Sequence, residues 1–150
     1  MKVVYRLLFI LHVFVGIGAM AGGLAAISNP YKPLGMPVEP LKNSPFSNYL
    51  IPGIILFVII GLGNVFSALM LHFKLRFQGY ISSIFSWALV IWIVVQCIIL
   101  NGVVFLHVLF FCIGLIEAVL SAIILFEQRL FPTNIIISFY KGIRKSNVIK

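Results

Sequence analysis

Three stretches of this chain, residues 7–31, 43–73 and 77–116, carry no Asp, Glu, Lys or Arg. A helix needs about 20 apolar residues to cross the hydrocarbon of a bilayer, so each stretch is long enough to span. The third is too long for one helix and contains Asn101-Gly102, a dipeptide suited to a tight turn because both residues tolerate positive φ. Dividing it there predicts four spans, at residues 5–27, 50–73, 79–100 and 104–126, with an outer loop at 28–49 and a tail at 127–150. Composition agrees, since 62% hydrophobic and 9% charged residues do not describe a soluble domain. The expected fold class is all-α: a single polytopic membrane domain, a four-transmembrane-helix antiparallel bundle with a proline-rich extracellular cap and a short amphipathic cytoplasmic tail.

The net charge of +8 does not point to nucleic acid in a chain this apolar. Lys and Arg concentrate on cytoplasmic flanks, and the count by side is informative. With the N-terminus inside, Lys2, Arg6, Lys74, Arg76, Arg129, Lys141, Arg144, Lys145 and Lys150 are cytoplasmic, and only Lys32 and Lys42 are outside. Both termini are therefore expected in the cytoplasm, with the chain in the plasma membrane. A cleaved secretory signal is the competing reading of the first span, because Lys2 and Arg6 precede an apolar run and Ala25-Ala26 resembles a cut site. The apolar part of such a signal is typically about 7–15 residues, and this run is longer.

Small residues crowd the first span. Gly18, Gly22 and Ala26 recur at four-residue spacing, and the adjacent face reads His12, Gly16, Ala19, Gly23, Ala26. Such spacing lets helices approach closely in lipid, so this helix is expected to be central in the bundle. Six of the seven prolines fall in residues 29–53. Those at 30, 33, 37, 40 and 45 remove amide donors and fix φ, which predicts an extended cap. The apolar residues between them, from Tyr31 to Tyr49, predict that this cap lies across the helix ends, with Phe46 and Tyr49 at headgroup level. Ser47 or Asn48 is placed to cap the following helix, with Pro52 in its first turn. In the tail, Ile135, Ile136, Ile137, Phe139 and Tyr140 precede Lys141, Arg144 and Lys145, a pattern expected of a segment lying on an anionic leaflet or docking a protein.

Glu117 is the one acid well inside a span, where a charge is costly unless paired, neutralised or hydrated. On the same helix His107, Gly114, Glu117 and Ser121 follow spacings of seven, three and four, which puts them on one stripe facing the bundle interior. Asn64 belongs to a similar stripe, Gly61, Asn64, Ala68, His72, on the second span. Gln96, the turn residue Asn101 and His107 fall near the outer surface. The expected ligand-binding set is thus Glu117, His107, Gln96, Asn101 and Asn64, a pocket opening outward beneath the cap. The competing reading has Glu117 bonded to Asn64, His12 or a serine and fixing helix register. His12 and His72 are expected toward one side and His107 toward the other, so no metal site is predicted. No catalytic or phosphate-binding motif and no pair of intramembrane carboxylates is present, and no cofactor is expected. Cys97 and Cys112 form no C-x-x-C and read as small apolar packing residues.

The small-residue-rich first span, the proline-rich loop running into SPFSNYLIPG and a third span containing WIVVQ resemble the layout of small four-helix bacterial membrane proteins, among them the DoxX-like group. That resemblance implies structural motifs and, for DoxX-like proteins, redox partners, which this chain lacks a cysteine pair to serve. The expected function is a non-enzymatic membrane protein that binds a lipid, a small amphiphile or a membrane partner through the outward pocket, with a membrane-protein partner or a homo-oligomer among the expected partners. A small transporter or proton-coupled channel subunit using Glu117 is the first alternative, and an immunity or protective protein the second.

Overall fold

The computed structural model describes residues 1–128 and Ser138. The amphipathic tail expected from Asn134 to Lys145 lies, apart from Ser138, outside the described residues. Four helices are long and apolar enough to cross a membrane: α1 (Lys2–Ser28), α2 (Leu50–His72), α3 (Gln78–Ile99) and α4 (Phe105–Glu127), with mean hydropathy from 2.1 to 2.7. Among the described residues there is no strand. The chain has the architecture of a multi-pass membrane protein.

The helices run antiparallel in sequence, and their closest approaches show it. Along α1, Gly16 lies against Val65 and Gly23 against Phe57 and Gly53, so α2 descends as α1 ascends. Gly79 meets Leu125 while Gly114 meets Val90, which makes α3 and α4 a second such hairpin. A Cβ on Gly23 would stand 2.7 Å from the Phe57 backbone nitrogen and 2.8 Å from the Gly53 carbonyl, so only glycine permits this approach. The small-residue face of α1 is therefore used within the chain, through Gly16, Ala19, Gly23 and Ala26. Gly18 is exposed, and a Cβ there would meet only the far end of the Phe110 ring at 3.3 Å. Nor is α1 central. Ile10, Phe14, Ile17 and Leu24 leave its opposite face open, as suits a helix with lipid on one side.

Both short links begin the same way. After α2, Lys74 takes φ 51°, its amide bonds to the Leu71 carbonyl, and the Leu75 amide reaches Met70. After α3, Asn101 takes φ 47°, with Asn101 bonded to Ile98 and Gly102 to Cys97. Each satisfies two carbonyls that the helix end would otherwise leave bare. At Asn101 this is the turn the dipeptide implied.

The proline-rich loop is not extended throughout. It contains 3-10 turns at Pro33–Gly35 and Glu39–Asn43, each with a proline in its first two positions. The reason is local: the fixed φ of proline suits the first turn of a helix, where the missing amide would have no partner anyway. The loop folds onto the helix ends by burying Leu41 and Tyr49 against Ala26, with Val38, Ile99 and Leu100 around them. Tyr49 is locked there, its amide donating to Pro30 at 2.9 Å and its hydroxyl to the Pro37 carbonyl at 3.0 Å. Asn48 then accepts from the Leu50 amide at 3.0 Å and starts α2.

One element has no counterpart in the sequence reading. Residues Leu56–Leu62 of α2 are wound as a π-helix. Such segments are rare and offset every side chain that follows relative to an uninterrupted α-helix. Asn64 comes two residues after it, and that offset sets its direction.

Candidate functional site

The interior is layered. At the loop end Tyr49, Leu41 and Ala26 close the bundle. Below them Val15, Ala19, Ile60, Leu89, Trp92 and Ile93 form an apolar layer. At the opposite end, where α1 begins and α4 ends, Leu8, Leu71 and Ile124 form another. Between these two apolar layers, one turn from Leu8 along α1, lies His12.

His12 is fully buried and touches all three other helices. Its Nδ1 is 2.6 Å from Asn64 Oδ1 on α2, and its Nε2 is 2.6 Å from Ser82 Oγ on α3. The same Nδ1 is 3.4 Å from Glu117 Oε1 on α4. Asn64 Nδ2 donates to the Ile60 carbonyl at 2.8 Å, within the π segment, which leaves Oδ1 as an acceptor turned to the ring. His12 Nδ1 must then carry a hydrogen. Nε2 accepts from the Ser82 hydroxyl when the ring is neutral and donates to it when the ring is charged.

Glu117 is the unsatisfied member. It is 0% exposed, and neither carboxyl oxygen has a hydrogen-bond partner among the described residues. The serines around it do not make up the deficit. Ser121 Oγ donates to the Ala118 carbonyl, Ser86 to Ser82 and Ser67 to Gly63, each along its own helix. The His12 N–H at 3.4 Å is the nearest thing to a partner, and it already serves Asn64 at a shorter distance. Chemically the pair can exist as imidazole with carboxylic acid or as imidazolium with carboxylate, one proton and zero net charge in either case. Adding or removing a proton leaves a net charge within the bundle, at a substantial cost.

Of the five residues named from sequence, two meet here. Glu117 and Asn64 both contact the His12 ring. His107 begins α4 ten residues before Glu117, about 15 Å along the axis, and its Nδ1 accepts from the Val104 amide at 3.3 Å. Gln96 is half-buried near the loop end of α3, and Asn101 is exposed in its turn. The structure thus does not gather Gln96, Asn101 and His107 with Glu117. The stripe on α4 does face inward, with His107, Gly114, Glu117 and Ser121 all buried. On α2, Gly61, Asn64 and Ala68 are buried while His72 is exposed at the helix end, its ring 6.0 Å from that of Phe9. Cys97 is half-buried and Cys112 exposed.

Ser82 was missed from sequence. The signal was present, because Gln78, Ser82 and Ser86 recur every fourth residue and all three are buried. A serine in an apolar helix says little by itself, since it can bond its own backbone. A separate recess of about 440 Å³ opens on the proline-rich loop, lined by Val38, Glu39, Leu41, Lys42, Ser44, Phe46 and neighbours, and it shares no residue with the His12 cluster.

No protein-family model matches this chain, and no curated protein or solved structure matches it either.

Proposed function

We propose that this protein is a non-enzymatic, proton-responsive component of the plasma membrane, a small transporter or channel subunit in which His12 and Glu117 form a proton-loading site between two helical hairpins. Both termini face the cytoplasm in this reading, on the strength of nine Lys and Arg against two. The loop 28–49 is then an extracellular cap.

One observation carries the reading: a fully buried carboxyl with no hydrogen-bond partner among the described residues, 3.4 Å from a histidine on the other hairpin. A carboxyl that served only to fix helix register would stabilise the bundle best with its oxygens bonded, because an unmade bond in a dry interior costs about 1–3 kcal/mol. Here the bonds go to the histidine and the acid is left short. That arrangement makes the acid responsive to a proton, and the response acts across the hairpin interface, where His12 and Asn64 face Ser82 and Glu117.

Infrared difference spectra of the protein in lipid, between acid and alkaline buffer, test this. The expected result is a buried-carboxyl C=O band that changes with pH and is absent in Glu117→Gln. A wild-type spectrum without any pH-responsive carboxyl band from the folded protein would overturn the reading.

A second reading rests on the loop recess, where apolar walls flank the opposed charges of Glu39 and Lys42 and suit a lipid or small amphiphile with a zwitterionic head. Native mass spectra of protein extracted gently from its membrane test it, with a defined added mass expected in the wild type and reduced in Lys42→Glu.

A further inference from the structure

A proton-loading site needs a way in, and the two sides of the His12–Glu117 layer differ. Toward the loop end the next layer is Val15, Ala19, Ile60, Leu89, Trp92 and Ile93. Its one unpartnered polar atom among the described residues is the Trp92 indole nitrogen, a donor that cannot accept a hydrogen bond and that lies in an apolar layer. A proton chain needs groups that both give and take. It stops there.

Toward the termini the layer of Leu8, Leu71 and Ile124 has a polar gap. Gln78 opens α3 one turn before Ser82, on the same helix face, and is 4% exposed. Its neighbour Gly79 lies against Ile124 and Leu125, which puts Gln78 at the depth of the apolar layer. Among the described residues its buried Oε1 has no partner, and neither has Oε1 of Gln128 just beyond the end of α4. The Gln128 amide donates to the Tyr5 hydroxyl at 3.4 Å, and that hydroxyl stands 3.5 Å from Glu127 at the surface. Two buried amide oxygens in need of donors, in a region bounded by Ser82 and the surface group Tyr5–Glu127, are the positions at which a short file of water would be held.

We infer that Gln78 and Gln128 hold a one-sided water path that connects the His12–Glu117 pair with the solvent at the terminus end, and that no such path reaches the loop end. A proton enters from hydronium, passes by way of Ser82 to the imidazole or carboxyl, and leaves by the same route, so that no other reactant is consumed. Gln78 and Gln128 are positioning residues. They bind no proton themselves and set only how fast one arrives. The groups facing the pair are His12 from α1, Asn64 from α2, Ser82 from α3 and Glu117 itself from α4, of which only His12 and Glu117 titrate. Nearer the surface stand Tyr5 and Glu127, the exposed His72, and the cations Lys2, Arg6, Lys74 and Arg76. Tyr80, two residues before Ser82, is off the Gln78–Ser82–Ser86 face.

The inference rests on the proton-loading reading, and the test separates the two. Right-side-out and inverted membrane vesicles bearing the full chain receive an external pH jump while the Glu117 carboxyl band is followed in time. The band is expected to respond promptly when the terminus end faces the jump and to lag until the lumen equilibrates when the loop end does. In Gln78→Leu the final amplitude is expected to be unchanged while the response slows by about tenfold, the kinetic counterpart of one lost hydrogen-bonding station. Gln78→Asn, which keeps an amide, should recover part of the rate. Equal, prompt response from both sides in the unmodified protein would overturn the one-sided path, as would wild-type speed in Gln78→Leu, and neither would touch the loading site. Absence of the band altogether would instead remove the reading beneath it. The sidedness measurement uses the unmodified protein and holds even if a variant fails to fold.

Discussion

Two regions of this protein, the loop closure around Tyr49 and the layer around Glu117, treat hydrogen bonds oppositely. At the closure, each group that burial would strand is matched locally: the Tyr49 amide with Pro30, its hydroxyl with Pro37, the Leu50 amide with Asn48, the Ser44 hydroxyl with Leu41. The partners are mostly backbone atoms of the same loop, so the closure is rigid and self-contained. In the Glu117 layer the partners are side chains from four helices and the acid is left without one. Full satisfaction makes a lid. A deficit shared across an interface makes a site that answers to a proton.

The sharpest way to break this contrast is to remove the histidine. His12→Ala strands Asn64, Ser82 and Glu117 together, and losing one member of a buried polar pair costs about 3–5 kcal/mol. A large fall in thermal midpoint in detergent is expected, whereas Gln96→Leu, which touches none of these groups, should leave the midpoint nearly unchanged. Similar midpoints for the two variants would mean that His12 holds nothing together.

A smaller effect tests whether the glycines of α1 set the geometry of the layer. Gly23→Ala places a methyl against backbone atoms of Phe57 and Gly53 that cannot yield, and overpacking of this kind costs about 1–3 kcal/mol. Gly22→Ala meets only Leu56 at 3.4 Å, an ordinary contact, and should be close to neutral by the same melting measurement. Equal losses at both positions would show that spacing alone, without the close approach, governs how α1 and α2 fit.

The smallest effect sharpens the other side of the comparison. Tyr49→Phe removes one neutral hydrogen bond from the closure, about 0.5–1.5 kcal/mol. Burial, and then the nearby charge of Glu39, push the Tyr49 phenol above its ordinary value of 10.0. The folded protein therefore holds this proton after the unfolded chain has released it. Stability from this group is complete below about pH 10 and falls as pH rises through the folded value, a loss that Tyr49→Phe should abolish in melts taken across the alkaline range.

Much of the architecture was legible because its causes are local. Charge-free runs mark the spans, Asn101-Gly102 marks a turn, and a seven-three-four spacing predicts that His107, Gly114, Glu117 and Ser121 share a buried stripe. The loop was half legible. Its prolines excluded a long helix, yet they also fit the first positions of short 3-10 turns, and composition does not choose between extension and such turns.

What the sequence by itself determined is that this chain has four apolar helices, that Glu117 and Asn64 turn inward, and that a carboxyl there must be dealt with. Only the tertiary structure decided with what. His12 is 105 positions from Glu117 and Ser82 lies 70 from His12, and whether they meet depends on the depth and rotation of separate helices. Those are set by glycine contacts between backbones and by a π-helical turn that re-aims Asn64. The energies involved belong to pairs of helices, and no single stretch of residues records them.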